Sequence, residues 1–276
     1  MENLIRAGRS IFALGMMALG AQQLVNASFL PVFLPGWPDG IPEAVVGAYI
    51  FGLAVIAAGV AILSGKMARG ASLVMGSVIL LICVLVDTPY QLNHYPAHLG
   101  SWTNALKELS ISGCFFIVAG TFPREESLSG RGPSRWTALA EKFIPIGRFF
   151  FSIMMVLFGI DHFLYPEFVA PLVPDWIPWH YFWNYFAAVA LIGGGLAIII
   201  DFRVRLFASL LAVMIFLWMI LLHIPRAIAD PHSLNGNETT SVFESFAYPG
   251  IALVLAAHLP VHFYRRTGVA GNPATV

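Results

Sequence analysis

Residues 147–168, GRFFFSIMMVLFGIDHFLYPEF, decide how the chain is read, because the same pattern stands near its start as GRSIFALGMMALGAQQLVNASF at residues 8–29. At an offset of 139, Arg9 meets Arg148, Gln23 meets His162, Phe29 meets Phe168, Pro35 meets Pro174 and Trp37 meets Trp176. A three-residue deletion changes the offset to 136, after which Gly59 meets Gly195, Arg69 meets Arg205, Asp87 meets His223, Pro89 meets Pro225 and Glu108 meets Glu244. Self-similarity at a fixed spacing is the mark of an internal repeat. The expected organisation is a repeat at residues 1–121, a polar cytoplasmic linker at 122–145, FPREESLSGRGPSRWTALAEKFIP, and a second repeat with a short tail at 146–276.

The repeated unit is built for a bilayer. Of the 276 residues, 58% are hydrophobic and 11% charged, with a mean hydropathy of +0.77, outside the range of soluble domains. Eight apolar runs, at residues 8–26, 44–64, 70–89, 104–121, 147–165, 183–201, 206–224 and 243–263, are each near the ~20 residues that a spanning helix needs. They are continuously apolar and lack the alternation of a membrane barrel. The fold class expected is therefore an all-α membrane protein with eight transmembrane helices in two four-helix repeats. Four is an even number, so both repeats cross in the same sense and are parallel. No cleavable signal peptide is expected, since the first run follows Arg6 and Arg9 without a small-residue cleavage pattern.

Charge gives the orientation. Thirteen of the fifteen Lys and Arg fall at the termini and in alternate loops, leaving only Lys107 and Arg226 toward the other face. The positive-inside rule then puts both termini in the cytoplasm, as in a bacterial inner membrane protein. Ten of the fifteen acids lie on the outer side, some at helix depth. Cys83 and Cys114 fall within apolar runs and are read as small core residues.

A four-helix unit that opens on an arginine and an apolar helix, continues through a loop with Phe and Pro…Trp, and has a glycine-rich second helix, VALIGGGLAIII at 189–200, resembles the DoxX/DoxD-like membrane proteins. The likeness covers both halves, as a tandem duplication of the family's unit. It implies association with membrane redox complexes, including a quinone-reducing membrane subunit of thiosulfate oxidation. It also implies redox partner subunits in the membrane, and a quinone as the cofactor such a protein would meet. Any reaction would be that of a quinone-linked oxidoreductase subunit.

The residues that could carry chemistry form one layer. At ~1.5 Å per residue, His162 lies about 21 Å beyond Arg148, and His223 and Asp87 lie about 27 Å beyond Arg205 and Arg69. Glu108 and Glu244 sit one turn into helices that descend from the outer face. The second repeat offers His162, His223 and Glu244 where the first offers Gln23, Asp87 and Glu108. Two histidines and a carboxylate could ligate a metal, or bind and protonate a quinone. His162, His223 and Glu244 are therefore the candidate catalytic residues. Asp161, Trp176, Asp87 and Glu108 are the candidate cofactor-binding residues.

Each has a plainer reading. Ser241 and Glu244 have capping-box spacing, His223 precedes Pro225 near a helix end, Asp161 could pair with Arg226 or Lys107, and Arg9 and Arg148 are simple anchors. Trp176, Trp179 and Trp183 fit an interfacial aromatic belt. Neighbouring helix residues point about 100° apart, so His162 is expected to turn toward His223 and Glu244 while Asp161 turns toward the boundary between repeats or the outer loops. A non-catalytic accessory subunit packed against a larger complex, lipid or pigment is the alternative. No nucleotide loop, CxxC or haem attachment motif occurs, and basic patches for nucleic acid are lacking.

Overall fold

A computed structural model describes residues 1–34, 42–123, 134–231 and 233–257. Pro35 and Trp37, most of the expected linker and the tail beyond residue 257 lie outside the described residues. Among the described residues there is no strand. The long helices are α1 (Glu2–Asn26), α2 (Pro42–Ser64), α3 (Ala68–His94), α4 (Thr103–Gly120), α5 (Arg135–Leu164), α6 (His180–Ile199), α7 (Val204–Ala229) and α8 (Ser233–Ala257). Helix is what these runs must form, because hydrocarbon offers the backbone no partner and only an internal i→i−4 ladder satisfies it within one segment.

Seven of these helices are long and apolar enough to cross a membrane, and the chain is an integral membrane protein. The exception is α4, whose apolarity is lowered by Asn104, Lys107 and Glu108. Yet α4 is deeply enclosed, with every residue from Ser110 to Ala119 buried. A helix surrounded by other helices has polar partners available that a lipid-facing helix lacks, so it can carry charge at this depth.

The last helix corrects the expected run at 243–263. It begins at Ser233 and takes in the polar stretch that precedes the run. That stretch is tolerated because it faces other helices: Thr240 Oγ1 donates to Gln22 Oε1 at 3.1 Å, and Gln22 Nε2 donates to the Gly236 carbonyl at 2.9 Å.

Each helix packs on the next in chain order, and α8 closes onto α1. Inside this ring α4 and α8 touch each other. Phe12 of α1 lies edge-on to Phe115 of α4, and Phe151 of α5 lies against Tyr248 of α8. At the end where α1 begins and α4 ends, the arginines do more than anchor. Arg9 Nη1 donates to the Thr121 carbonyl at 3.3 Å and its guanidinium covers the Phe122 ring at 4.1 Å. Arg148 meets Asp201 at 3.5 Å.

Lipid tails are as apolar as leucine, so close backbone approach holds membrane helices together more than hydrophobicity does. A Cβ on Gly20 would stand 2.7 Å from the Gly52 carbonyl oxygen, and one on Gly159 would stand 2.6 Å from that of Ala188. Nothing lies within 4 Å of a Cβ on Gly193, on the same helix as Ala188. Gly159→Val is therefore expected to lower stability by about 1–3 kcal/mol through overpacking. Gly193→Ala should stay within about 0.5 kcal/mol of the parent. Equilibrium unfolding of the solubilised protein checks both, and equal effects would remove the close-approach explanation.

Candidate functional site

The ladder of α3 widens into a π turn at Cys83–Asp87, and that of α7 does so at Met219–His223. A proline follows two residues after each, Pro89 and Pro225. Proline has no N–H to give to the carbonyl four residues back and its ring crowds that carbonyl, so the local ladder shifts to the wider spacing. Such single-turn insertions recur at functional sites. Here each π turn ends on a titratable residue: Asp87 in one helix, His223 in the other. The sequence shows no helix evidently broken at mid-membrane, and the π turns are interruptions it did not announce.

Asp87 and Glu108 are each 0% exposed. Their carboxyl groups face each other at hydrogen-bonding separation, Asp87 from α3 and Glu108 from α4. Cys83 lies beside them, with its Sγ 3.6 Å from the Ala105 carbonyl. Both cysteines are free and buried. One turn beyond Asp87, the buried Gln91 has an unpartnered Oε1.

Lys107 is the next residue to Glu108 and leaves α4 in a different direction, toward α8. Its Nζ stands 2.6 Å from Glu244 Oε2, with side-chain exposures of 12% and 3%. Glu244 Oε1 has no partner. Tyr248, one turn along α8, donates its hydroxyl to the Lys107 carbonyl at 3.4 Å. His223 sits within the field of Lys107, Glu238 and Arg226, and its Nδ1 is buried without a partner. Arg226 clasps Glu238 through two hydrogen bonds of 2.9 and 2.6 Å.

Two plainer readings are corrected by these contacts, the capping box and the pairing of Asp161. Ser241 is not the cap of α8, because it lies inside that helix and its hydroxyl donates to the Asn237 carbonyl at 3.0 Å. Glu244 is bound to Lys107 and does not reach back to a helix start. The cations expected for Asp161 are engaged elsewhere, Arg226 with Glu238 and Lys107 with Glu244. Asp161 is 9% exposed, and its electrostatic neighbour is His98 in the connection between α3 and α4.

His162 is half-buried, and its bonds are local. Its Nδ1–H donates to the Phe158 carbonyl one turn back at 2.7 Å, and Asn184 Nδ2 of α6 donates to its backbone carbonyl at 2.9 Å. The aligned residue Gln23 makes the corresponding link in reverse, donating from its side chain to the Ala48 carbonyl of α2 at 2.9 Å. Both arrangements bind the C-terminal end of one helix to the next helix. Among the described residues no group of three or more His, Cys, Asp or Glu could hold a metal ion. Trp176 is 67% exposed and Trp179 is 77% exposed, the disposition of interfacial rings.

Lys107 is the residue whose role sequence reasoning under-weighted. The available signal was a lone cation at helix depth, which requires an acid nearby. Nothing in the sequence singled out Gln91 or Asn184, because isolated amides carry no periodic signature.

The fold and this layer define a helical integral membrane protein with a buried polar network near one end of its bundle. The DoxX family matches residues 143–224, from within α5 through the π turn of α7, and this part of the chain is DoxX-like. No curated protein and no solved structure matches the chain.

Proposed function

We propose that the chain is a DoxX-like membrane subunit serving a quinone-linked redox complex, with a polar pocket on the non-cytoplasmic side formed by His162, His223 and Glu244. The observation that carries this reading is the π turn ending on His223, whose buried, unpartnered nitrogen lies in the field of the Lys107–Glu244 pair. An imidazole is suited to exchange a proton with a quinone oxygen, and Lys107 stabilises negative charge developing nearby. Asp161 and Trp176 are the further residues this reading assigns to the quinone, and Asp87 and Glu108 align with His223 and Glu244 as the first-half counterpart.

The same reading takes the chain as two four-helix units in one membrane orientation, with α4 as an eighth span and both termini in the cytoplasm of a bacterium. Supporting it are the equivalent close contacts at Gly20 and Gly159 and the two π turns 136 residues apart. The clustering of Arg9, Arg69 and Arg148 at one end of the bundle favours the orientation.

Reconstitution tests the pocket. Quinone-dependent turnover, measured with the partner complex present, is expected to fall about 10²-fold in His223→Ala and in Glu244→Gln, the scale of lost acid–base catalysis. His162→Ala reports whether its face joins the pocket. Unchanged turnover and unchanged quinone recovery in His223→Ala would sink it. An accessory subunit is the second reading, supported by the exposed rings of Phe168, Trp176 and Trp179. It predicts that these substitutions alter assembly of the complex and leave its turnover per assembled complex unchanged.

A further inference from the structure

We infer that Asp87 and Glu108 form a buried site that binds one exchangeable proton, separate from the pocket around His223. Four observations carry it. Both side chains are 0% exposed, so neither carboxyl draws on bulk water. All four of their oxygens lack a hydrogen-bond partner, and the two groups stand within bonding reach of each other. The cation closest in sequence, Lys107, leaves the same helix toward α8 and is held by Glu244. Finally, the unpartnered Oε1 of Gln91, itself 3% exposed, lies one turn from Asp87 on the same helix face.

Two ionised carboxylates cannot face each other in such a place, because mutual repulsion and desolvation both oppose it. One shared proton removes the conflict: the protonated carboxyl donates to the ionised one, and the pair carries a single negative charge. The Cys83 thiol stands beside the pair and is itself bonded by Thr88, and the charged neighbour of Glu108 in sequence, Lys107, is engaged with Glu244. The π turn sets the site, since it fixes the direction of Asp87 as the last residue of the widened turn. The ligand class is thus the proton. A monovalent metal cation is the competitor, and the experiment separates the two.

Infrared spectroscopy of the full chain in lipid bilayers tests the site. At about pH 7, where ordinary carboxyls are ionised, the expected spectrum contains a carboxylic-acid C=O band that shifts in D2O. That band should lose the intensity of one group in Glu108→Gln, and likewise in Asp87→Asn. Each amide supplies the N–H that the proton supplied, so both variants should melt within a few degrees of the parent. An unchanged band in both variants overturns the proposal, as does loss of the band when sodium is added at constant pH. Unfolding of Asp87→Asn and Glu108→Gln together also overturns it, because the pair would then require both charges and a bound cation. The readout involves no quinone, so the pocket can fail while this site stands, and the reverse.

Discussion

Lys107→Met is expected to be among the most destabilising single substitutions in the chain, at about 3–5 kcal/mol, the cost of removing one partner from a buried ion pair. Glu244 would stay in the bundle interior, 3% exposed, with neither the ammonium 2.6 Å away nor water to replace it. The double variant Lys107→Met/Glu244→Met removes both charges and should recover most of the loss, since apolar replacement of a whole buried pair is often neutral. Unfolding equilibria of the three proteins, compared as a double-mutant cycle, give the coupling directly. A Lys107→Met protein within 1 kcal/mol of the parent would mean that the pair does not hold α4 to α8.

Arg69→Met is the second large effect, expected at about 3 kcal/mol. The Arg69 guanidinium donates to the Ala119 and Phe122 carbonyls at 3.0 and 2.8 Å, which lie at the end of α4, and meets Glu141 near the start of α5 at 2.6 Å. Removing it leaves the end of α4 without these donors. Arg69→Lys keeps the charge but loses the planar fork, so an intermediate loss is expected. Arg205 aligns with Arg69 in the sequence but is exposed, and Arg205→Met should change stability by no more than about 0.5 kcal/mol. Thermal melts of the solubilised variants check the ranking. Equal losses at the two arginines would refute the asymmetry.

Lipid and sequence together make much of this protein legible. Runs of apolar residues this long can only be helices in a bilayer, because no other single segment satisfies its own backbone there. The 136-residue spacing that aligns Asp87 with His223 is written in the sequence, and it is also the spacing between the π turns.

What the sequence could not decide is which helix faces touch. In water the apolar stripe of a helix points to the core, but in a membrane the lipid-facing and protein-facing sides are both apolar, and the stripe loses its meaning. Only the tertiary structure closed α1 onto α8, and only it sent the neighbours Lys107 and Glu108 to different partners, one to Glu244 of α8 and the other to Asp87 of α3. Counting along the helix puts His162 at the depth of His223, and the structure adds that its own bonds run to Phe158 and Asn184. Depth follows from counting residues along a helix. Partnership follows from helix rotation, which small residues such as Gly20 and Gly159 set by letting one backbone approach another.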